Sequence, residues 1–222
     1  MFEPAEIHSL FDLSHTAAAA LLQTLRYPWE ALPKIGALIL ELGRSLPAGE
    51  YELRGENVWV HRTATVFESA YLHGPAIIGP GTEVRQCAFV RGNALVGADC
   101  VVGNSTELKN VILFDGVQVP HYNYVGDSIL GYKAHMGAGS ITSNIKSDKT
   151  NVCFHAGGEQ IETGLRKIGA MLGDHVEIGC NSVLNPGTVV GRETTIYPLS
   201  MVRGFVPPHS IYKHAGEIAE RK

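Results

Sequence analysis

The sequence has no long hydrophobic run and little excess charge, and these two absences exclude several classes of function. Its longest apolar stretches, TAAAALLQTL and IGALILELG, are too short to span a bilayer. The amino terminus lacks a basic segment followed by a cleavage site, so we expect a cytoplasmic protein. A formal net charge of -4 over 222 residues gives no basic field for nucleic acid or an anionic membrane surface. Neither GxGxxG nor GxxxxGK[ST] occurs, which argues against a nucleotide-binding loop.

Cysteines are also few. The chain has four, Cys87, Cys100, Cys153 and Cys180, and no two of them have CxxC spacing. Cys100 falls at a small-residue position of the repeat described next. We therefore predict reduced, structural thiols rather than a metal or redox site.

What the sequence does have is a period of six residues. Aliphatic or aromatic residues occupy every sixth position from Val60 to Phe114, and in most units a small residue follows four positions later. The positions between them are Val66, Leu72, Ile78, Val84, Val90, Val96, Val102 and Leu108. Six residues suit one short β-segment and a tight corner, and three such units close a triangular coil of about eighteen residues. The repeat therefore predicts a mainly β fold, a parallel β-helix of hexapeptide repeats.

The repeat is interrupted twice. After Phe114 the next residue in phase is Tyr124, which predicts about four inserted residues around positions 119–122 and a Tyr124 that is in phase with the core. A stretch without any repeat, residues 143–167, then precedes the return of the phase at Leu172. Long irregular loops on a rigid solenoid usually carry function. We therefore expect the functional site near these interruptions.

We divide the chain into three parts. Residues 1–56 form an N-terminal helical cap, residues 57–206 form the β-helix with its 143–167 loop, and residues 207–222 form a C-terminal tail. Two stretches of the first part carry apolar residues at helical spacing. They have two possible roles, which are covering the open end of the β-helix and docking a partner.

Two segments carry a resemblance to a known family. The first, HYNYVGDSILGYKAHMGAGSITSN at residues 121–144, resembles the acetyltransferase part of bifunctional N-acetylglucosamine-1-phosphate uridyltransferase/glucosamine-1-phosphate acetyltransferases. The second, TGLRKIGAMLGDHVEIGCNSVLNPGTVVG, looks closer to archaeal sugar-1-phosphate nucleotidyltransferase/acetyltransferases. Together the resemblance covers about residues 58–206 and implies a left-handed β-helix, acetyl-CoA as donor and a homotrimer with its site between protomers. The sequence lacks that family's nucleotidyltransferase domain, so we expect acetyl transfer without uridyl transfer.

The chemistry of acetyl transfer identifies a candidate base. The sugar amine must be neutral to attack a thioester, because an ammonium group has no lone pair. A histidine can take the proton near neutral pH, and His121 matches the family's catalytic histidine. The glycine-rich turn at residues 136–139 can offer backbone N–H groups to the oxyanion that forms.

The acceptor needs cations for its phosphate and polar groups for its sugar. Arg91 and Lys109 follow aliphatic positions one full coil apart, so we expect them to stack along one edge. By the resemblance they hold the acceptor phosphate, while Tyr124 and Asn144 hydrogen-bond the sugar. His135 stands where the family has asparagine, and we assign it to the substrate site near His121. The acceptor is then glucosamine-1-phosphate or galactosamine-1-phosphate, and a nucleotide-linked amino sugar stays open.

Coenzyme A is expected along the outside of the later coils. The resemblance assigns the coenzyme to Ala138, Gly139, Cys180, Pro198 and Arg203. Glycines along this track would let the pantetheine arm approach the backbone closely. Lys146 or Lys149 in the loop offers a further cation for acceptor or coenzyme phosphates. Acetyl transfer by this scheme requires no metal.

Three alternatives remain open. Gamma-class carbonic anhydrases are also hexapeptide β-helix trimers, with zinc held by three histidines, but the only HxxxxH spacing here is His209 and His214 in the tail. A non-catalytic relative that binds sugar nucleotides is the second alternative, and a different acyl donor is the third. A separate nucleotidyltransferase is a possible partner, whereas nucleic acid and membranes are not expected.

Overall fold

The chain folds into the expected coil. The structure, a computed structural model, describes residues 2–214 and 217–220. Short strands pair in parallel with strands one coil later: Ala76 pairs with Ala94, and Glu83 pairs with Val101, in each case 18 residues on. The prediction of a mainly β fold, a parallel β-helix of hexapeptide repeats, is therefore confirmed.

Each coil has three faces, which we name A, B and C in chain order. Face A contains β2 (Val58–His61), β5 (Ala76–Ile78), β8 (Ala94–Val96), the second halves of β10 (Glu107–Leu113) and β12 (Tyr124–Leu130), β17 (Ala170–Leu172), β20 (Thr188–Val190) and β23 (Phe205–Val206). Face B contains β3 (Thr65–Val66), β6 (Glu83–Val84), β9 (Val101–Asn104), β11 (Gln118–His121), β13 (His135–Met136), β18 (Glu177–Ile178), β21 (Thr195–Ile196) and β24 (Ser210–His214). Face C contains β4 (Tyr71–Leu72), β7 (Phe89–Val90), the first halves of β10 and β12, β14 (Ile141–Thr142), β19 (Val183–Leu184) and β22 (Met201–Val202).

An antiparallel strand pairs with one edge strand at each end of the coil. β1 (Tyr51–Leu53) pairs with β2 at the start, and β25 (Glu217–Glu220) pairs with β24 at the finish. Strand pairing thus continues past residue 206, where we had placed the start of the tail, and the three-part division of the chain stays a prediction. No helix in the described part of the chain is long and apolar enough to cross a membrane.

The phase of the repeat differs from the prediction in the middle coils. Val96 pairs with Leu113 and Leu113 with Leu130, each 17 residues on, because the corner between faces C and A is one residue shorter in these coils. The predicted insertion of four residues is therefore wrong. Val125, in register with Leu108, fills the interior, whereas Tyr124 is only half buried, so its predicted core phase is also wrong.

Phe114 misled the periodicity for a physical reason. Its side chain is fully buried, but by the N-terminal segment: its ring centroid lies 5.1 Å from that of Phe11. Phe114 follows the true inward residue, Leu113, by one position. It therefore continued the apparent hexapeptide pattern through a coil that is one residue shorter.

The N-terminal segment, residues 2–46, lies lengthwise along face A. It contains α1 (Ile7–Leu10), α2 (Ala19–Leu22), α3 (Ile35–Ser45) and 3-10 turns at Glu3–Ala5, Leu13–His15 and Pro28–Lys34. α3 contacts β5, β8 and β10, the last 3-10 turn contacts β12, and Phe2 contacts Phe205 of β23. The expected helical segment is present, but it lies along face A rather than over the open end, where β1 of the same predicted 1–56 part pairs with β2.

Face A needs this cover because it is apolar on both sides. Its outward-facing side chains form one ladder, paired in register from coil to coil, which we call the outer ladder: Trp59, Ile77, Leu95, Ile112, Ile129, Met171, Val189 and Phe205. Ile112, Ile129, Met171 and Val189 are fully buried. Burial of each large aliphatic side chain is worth about 1.5–3 kcal/mol. Covering the outer ladder is therefore the strongest local reason for the segment's position.

The 143–167 loop folds back over the same region. Its hairpin, β15 (Cys153–Ala156) and β16 (Glu159–Glu162), inserts Phe154 between the N-terminal segment and the coils. The Phe154 ring lies 5.2 Å from Trp29 and 5.9 Å from Phe2, centroid to centroid. The N-terminal segment thus anchors the loop as well as covering face A.

The docking of α3 on the outer ladder predicts the effect of one substitution. A Cβ added at Gly43 would overlap the Trp59 ring. Alanine usually stabilises a helix by about 1 kcal/mol relative to glycine. Because the ring or the helix must shift here, we expect Gly43→Ala to lower the free energy of unfolding by about 1–3 kcal/mol instead.

Urea unfolding measures this change. The control is Gly49→Ala, because a Cβ at Gly49 meets nothing within 4 Å and the substitution should change stability by less than about 0.5 kcal/mol. A Gly43→Ala variant as stable as the parent would contradict the docking of α3.

Candidate functional site

His121 stands at the corner between faces B and C, at the end of β11. Its side chain is exposed, and its ring makes no hydrogen bond with any residue that the structure describes. The backbone is fixed from both directions along the solenoid, because His121 pairs with Asn104 and its carbonyl accepts from the Gly139 N–H at 3.0 Å. The ring is therefore available to a substrate on a rigid base.

Asn123 supports this corner and was missed by the sequence reasoning. Its buried side-chain amide donates to the carbonyls of Gly137 (2.9 Å) and Ser140 (3.1 Å), and its Oδ1 accepts from the His121 N–H at 3.1 Å. One amide thus joins the histidine to the glycine-rich turn of the next coil. The sequence shows an asparagine two residues after His121, but its burial and its partners in the next coil are visible only in the structure.

The predicted coenzyme residues of the turns form one column with His121. The Asn181 N–H donates to Ala138 O at 2.8 Å and the Leu199 N–H to Cys180 O at 2.9 Å, so Ala138, Cys180 and Pro198 follow one another at this corner. Cys180 is exposed. The structure therefore brings together four of the predicted site residues, with Gly139 beside them.

The glycines of this corner also pack neighbouring coils together. A Cβ at Gly137 would lie 2.7 Å from the Cys180 nitrogen, and one at Gly179 would overlap Pro198. Gly139 has a φ of 72°, which favours glycine. These glycines are thus required for the packing of neighbouring coils, whether or not a ligand approaches them.

Arg91 and Lys109 stack as predicted at the opposite edge of face C, the corner between faces C and A. Val90 pairs with Leu108, and the Arg91 N–H donates to Leu108 O at 2.8 Å, so the two cations lie one coil apart. Both are already ion-paired. Arg91 Nη1 lies 2.7 Å from Glu107 Oε1, and the hydrogen bond with this carboxylate raises the pKa of the guanidinium.

Lys109 pairs with Asp127, a residue to which the sequence reasoning gave no role. Its Nζ lies 2.9 Å from Oδ1 and 3.0 Å from Oδ2 of that carboxylate. Asp127 is buried, and it also accepts from Nδ2 of Asn110 (2.9 Å) and of Asn144 (2.6 Å). One buried carboxylate therefore joins two predicted substrate residues.

Tyr124 belongs to the same group. Asn144 Nδ2 donates to the Tyr124 hydroxyl at 3.0 Å. Partial burial, and secondarily the Asp127 charge, raise the pKa of the Tyr124 phenol, so it stays neutral near pH 7. We call Arg91, Glu107, Lys109, Tyr124, Asp127 and Asn144 the acceptor cluster.

His135 lies apart from both groups. It pairs with Gln118 on face B, which is three residues before His121 along β11 and so about 10 Å away along the strand. Its Nδ1 lies 2.7 Å from Glu177 Oε2. The structure therefore does not bring His135 together with His121, because the register puts them at opposite ends of face B.

Arg203 lies on the acceptor-cluster edge rather than beside Cys180 and Pro198. It follows Val202, which pairs with Leu184, just as Lys109 follows Leu108. It lines a cavity of about 720 Å³ between the loop and the later coils, together with Lys146 and His155. The predicted coenzyme residues are thus divided between the two edges of face C.

The zinc alternative finds no support in the described residues. No group of three or more His, Cys, Asp or Glu side chains in residues 2–214 and 217–220 is placed to hold a metal ion. His209 Nδ1 lies 3.3 Å from Glu193 Oε2. The side chain of His214, the other half of the HxxxxH pair, lies outside what the structure describes.

The coiled architecture, with a rigid exposed histidine at one corner, defines a hexapeptide-repeat β-helix protein with a candidate ligand site along face C. Comparison with known families gives a more specific result. The family model for the GMPPB C-terminal domain matches residues 72–189, and the chain belongs to this family.

Curated relatives confirm the resemblance predicted from residues 121–144. A bifunctional sugar-1-phosphate nucleotidylyltransferase/acetyltransferase of Sulfurisphaera tokodaii is 33% identical over 56% of this chain and 29% of its own length. The bifunctional protein GlmU of Methanococcus aeolicus is 31% identical over 75% of this chain and 45% of its own length. This chain thus spans less than half of the length of these relatives.

A solved structure is similar at lower identity. The acetyltransferase domain of PglB from Neisseria gonorrhoeae, in complex with acetyl coenzyme A, is 16% identical with a TM-score of 0.35. The similarity covers 74% of this chain and 57% of that chain.

Proposed function

We propose that this chain is an acetyl-CoA-dependent N-acetyltransferase acting on a hexosamine-1-phosphate, with glucosamine-1-phosphate and galactosamine-1-phosphate as the favoured acceptors. The similarity to a bifunctional sugar-1-phosphate nucleotidylyltransferase/acetyltransferase supports the reaction class. The product would serve UDP-N-acetylhexosamine synthesis. The observation that carries the proposal is the exposed His121 ring, which has no hydrogen-bond partner among the described residues, at the head of the column Ala138, Cys180 and Pro198.

In this proposal His121 is the general base. It takes a proton from the sugar amine as the amine nitrogen attacks the thioester carbonyl carbon, which typically accelerates such steps about 10²–10⁴-fold. The intermediate then expels the coenzyme A thiolate, which takes the proton back from the imidazolium. The N–H groups of Gly137 and Gly139 already donate to Ile178 O and His121 O. The Ala138 N–H has no such bond in the described residues and is our candidate oxyanion donor.

The acceptor would bind at the acceptor cluster. A sugar phosphate presents both anionic oxygens and an amine, and the cluster offers two cations, two carboxylates and two neutral hydrogen-bonding groups. The phosphate would replace Glu107 on Arg91, because that pair is partly exposed and weakly held. We assign phosphate binding to Arg91 and Lys109, and sugar binding to Tyr124 and Asn144.

A second copy of the chain completes the proposed site. His121 and the acceptor cluster lie on opposite edges of face C, and the four-residue step from Tyr122 to Gly126 spans about 13 Å. This is too far for a base to reach an amine held by the cluster of its own protomer. We therefore propose a homotrimer in which the His121 edge of one protomer faces the acceptor cluster of the next.

The same arrangement accounts for the division of the coenzyme residues. Cys180 and Pro198 would contact the pantetheine arm along the His121 edge. Arg203 and Lys146, in the cavity on the other edge, would meet the coenzyme phosphates from the neighbouring protomer.

A non-catalytic sugar-nucleotide-binding role is the second candidate. The observation that favours it is that both phosphate-binding candidates, Arg91 and Lys109, are already neutralised by carboxylates. Such a protein would bind the sugar ligand without consuming acetyl-CoA, so the experiments below separate the two.

Replacement of the base tests the mechanism. We expect His121→Ala to lower turnover about 100-fold or more, because the amine then loses its proton acceptor. The thermal unfolding temperature should stay the same, since the ring is exposed and bonds to no residue in the described part of the chain. Thiol release from acetyl-CoA with glucosamine-1-phosphate measures the rate. His8→Ala, another exposed histidine, serves as the control, and equal rates in both folded variants would refute the assignment.

Replacement of an acceptor cation tests the phosphate site. We expect Arg91→Ala to raise the acceptor KM about tenfold or more, because a charge-assisted contact is worth roughly 1.5–3 kcal/mol. The KM for acetyl-CoA should change less than twofold. Arg85→Ala is the matched control, because Arg85 also pairs with a partly exposed carboxylate, Glu83 at 2.9 Å. An equal rise in both KM values would contradict the assignment to the acceptor.

Thiol labelling tests the coenzyme track. Exposed Cys87 and Cys180 should both react with iodoacetamide at pH 8, whereas burial raises the pKa of the Cys100 thiol to about 12 and keeps it unreactive. Saturating acetyl-CoA should protect Cys180 and leave Cys87, which is on an early coil, as reactive as before. Peptide mass spectrometry reads each site, and unprotected Cys180 would place the coenzyme elsewhere.

A further inference from the structure

We infer that Asp127 is a positioning residue for the acceptor: it holds Lys109 and Asn144 in the orientations that bind a sugar phosphate. This inference rests on the function proposed above and adds a residue to that site. Asp127 touches no substrate in this scheme, and it acts through the two side chains that do.

The carboxylate is placed where a charge is costly. The Asp127 side chain is 5% exposed, against 27% for Lys109. An ionised carboxylate at such depth needs compensation. The Lys109 ammonium group donates to both carboxylate oxygens of Asp127. The side-chain amides of Asn110 and Asn144 each donate one further hydrogen bond to it. All of these donors lie on the corner between faces C and A.

The fold of the corner does not require the charge. Asp127 has a φ of 48°, and the residues at the same corner of the two preceding coils are Asn93 with φ 50° and Asn110 with φ 56°. The pairings of Ala94 with Val111 and of Val111 with Ser128 put these three residues in one column. Asparagine and aspartate both tolerate this left-handed conformation. A neutral amide therefore satisfies the turn twice, and the carboxylate needs another explanation.

The bonds of Asp127 supply that explanation. Lys109 reaches both carboxylate oxygens, which fixes a long side chain that would otherwise sample many rotamers. Asn144 bridges Asp127 Oδ2 and the Tyr124 hydroxyl, so one carboxylate also sets the sugar-binding pair. Groups held in place before binding lose less entropy when the ligand arrives.

The Lys109 ammonium group is more exposed to solvent than the Asp127 carboxylate. Because Asp127 is more deeply buried than Lys109, we expect a phosphate that approaches from solvent to meet the ammonium group before the carboxylate. Asp127 thus orients the cation without facing the ligand.

The test is a double-mutant cycle on acceptor kinetics. Asp127→Asn keeps the size and the tolerated φ but removes the charge, and we expect it to raise the acceptor KM about tenfold with the acetyl-CoA KM unchanged. In a Lys109→Met background the same change should have at most a threefold effect, since its main target is gone. An unchanged or lowered acceptor KM, or the same tenfold rise in both backgrounds, would overturn the inference.

Asp174→Asn is the matched control. Asp174 is also buried, pairs with Arg192 at 3.4 Å and accepts the N–H groups of Asp12 and Tyr132, but it lies at the corner between faces A and B. A purely structural effect of losing a buried carboxylate would appear in both variants. We expect the acceptor KM of Asp174→Asn to stay within twofold of the parent, and a tenfold rise there as well would refute positioning.

Two further measurements keep the test decisive. If Asp127→Asn does not fold, Asn110→Gly removes one donor to the carboxylate at a φ that glycine adopts freely, and its acceptor KM should rise about threefold. An unchanged KM would then overturn the inference.

The second measurement is chemical labelling of the Lys109 amine with acetic anhydride, read by mass spectrometry, which does not depend on enzyme activity. Asp127→Asn or Asn110→Gly should increase the labelling of Lys109, and unchanged labelling would contradict positioning. A parent that acetylates no hexosamine-1-phosphate would refute the proposed function separately.

Discussion

The register between coils is the constraint on which the rest of the molecule depends. Each inward side chain stacks on its equivalent in the next coil, as Leu108 does on Val90 and Val125 on Leu108. A slip of one residue would turn every interior side chain outward. Because this register is fixed, outward residues far apart in sequence form straight columns, and both the His121 column and the acceptor cluster are consequences of it.

The outer ladder adds a second constraint. It makes face A apolar on its outer side, so the N-terminal segment must lie along it. That segment then supplies Trp29 and Phe2, against which Phe154 of the loop packs. The base of the loop is tied to the cluster by an Ile168 N–H bond to Asn144 O at 3.1 Å and a Gly169 N–H bond to Asp127 O at 2.7 Å. The cover of face A and the edge that carries the acceptor cluster are therefore one connected structure.

The sequence predicted what depends on local period and failed where distant segments decide. The hexapeptide spacing correctly predicted the coil and the stacking of Arg91 on Lys109. It could not reveal that the corner at Asn110 lost a residue, because Phe114, buried by Phe11, preserved the apparent phase. The AII, ALV and VIL triplets of face A were a readable sign of a strand buried on both sides.

The candidate site was predictable to the extent that motifs mark it. HYNY and GAGS identified His121 and the turn of the next coil, which the structure brings together. Asp127 and Asn123 were not predicted, because their importance lies in partners 14 to 18 residues away that only the register brings near. His135 and Arg203 lie on other edges than expected. The edge on which a side chain lies depends on its position within the six-residue repeat, and not on how near it is in sequence to a motif.

The central claim is acetyl transfer to an amino sugar phosphate, and mass spectrometry of the acceptor tests it most directly. The parent chain is incubated with acetyl-CoA, glucosamine-1-phosphate or galactosamine-1-phosphate, and excess EDTA. The account predicts N-acetylated acceptor and free coenzyme A in equal amounts, because the amine is the nucleophile and no metal-bound water is needed. An unmodified acceptor, or acetylation that EDTA abolishes, would contradict it.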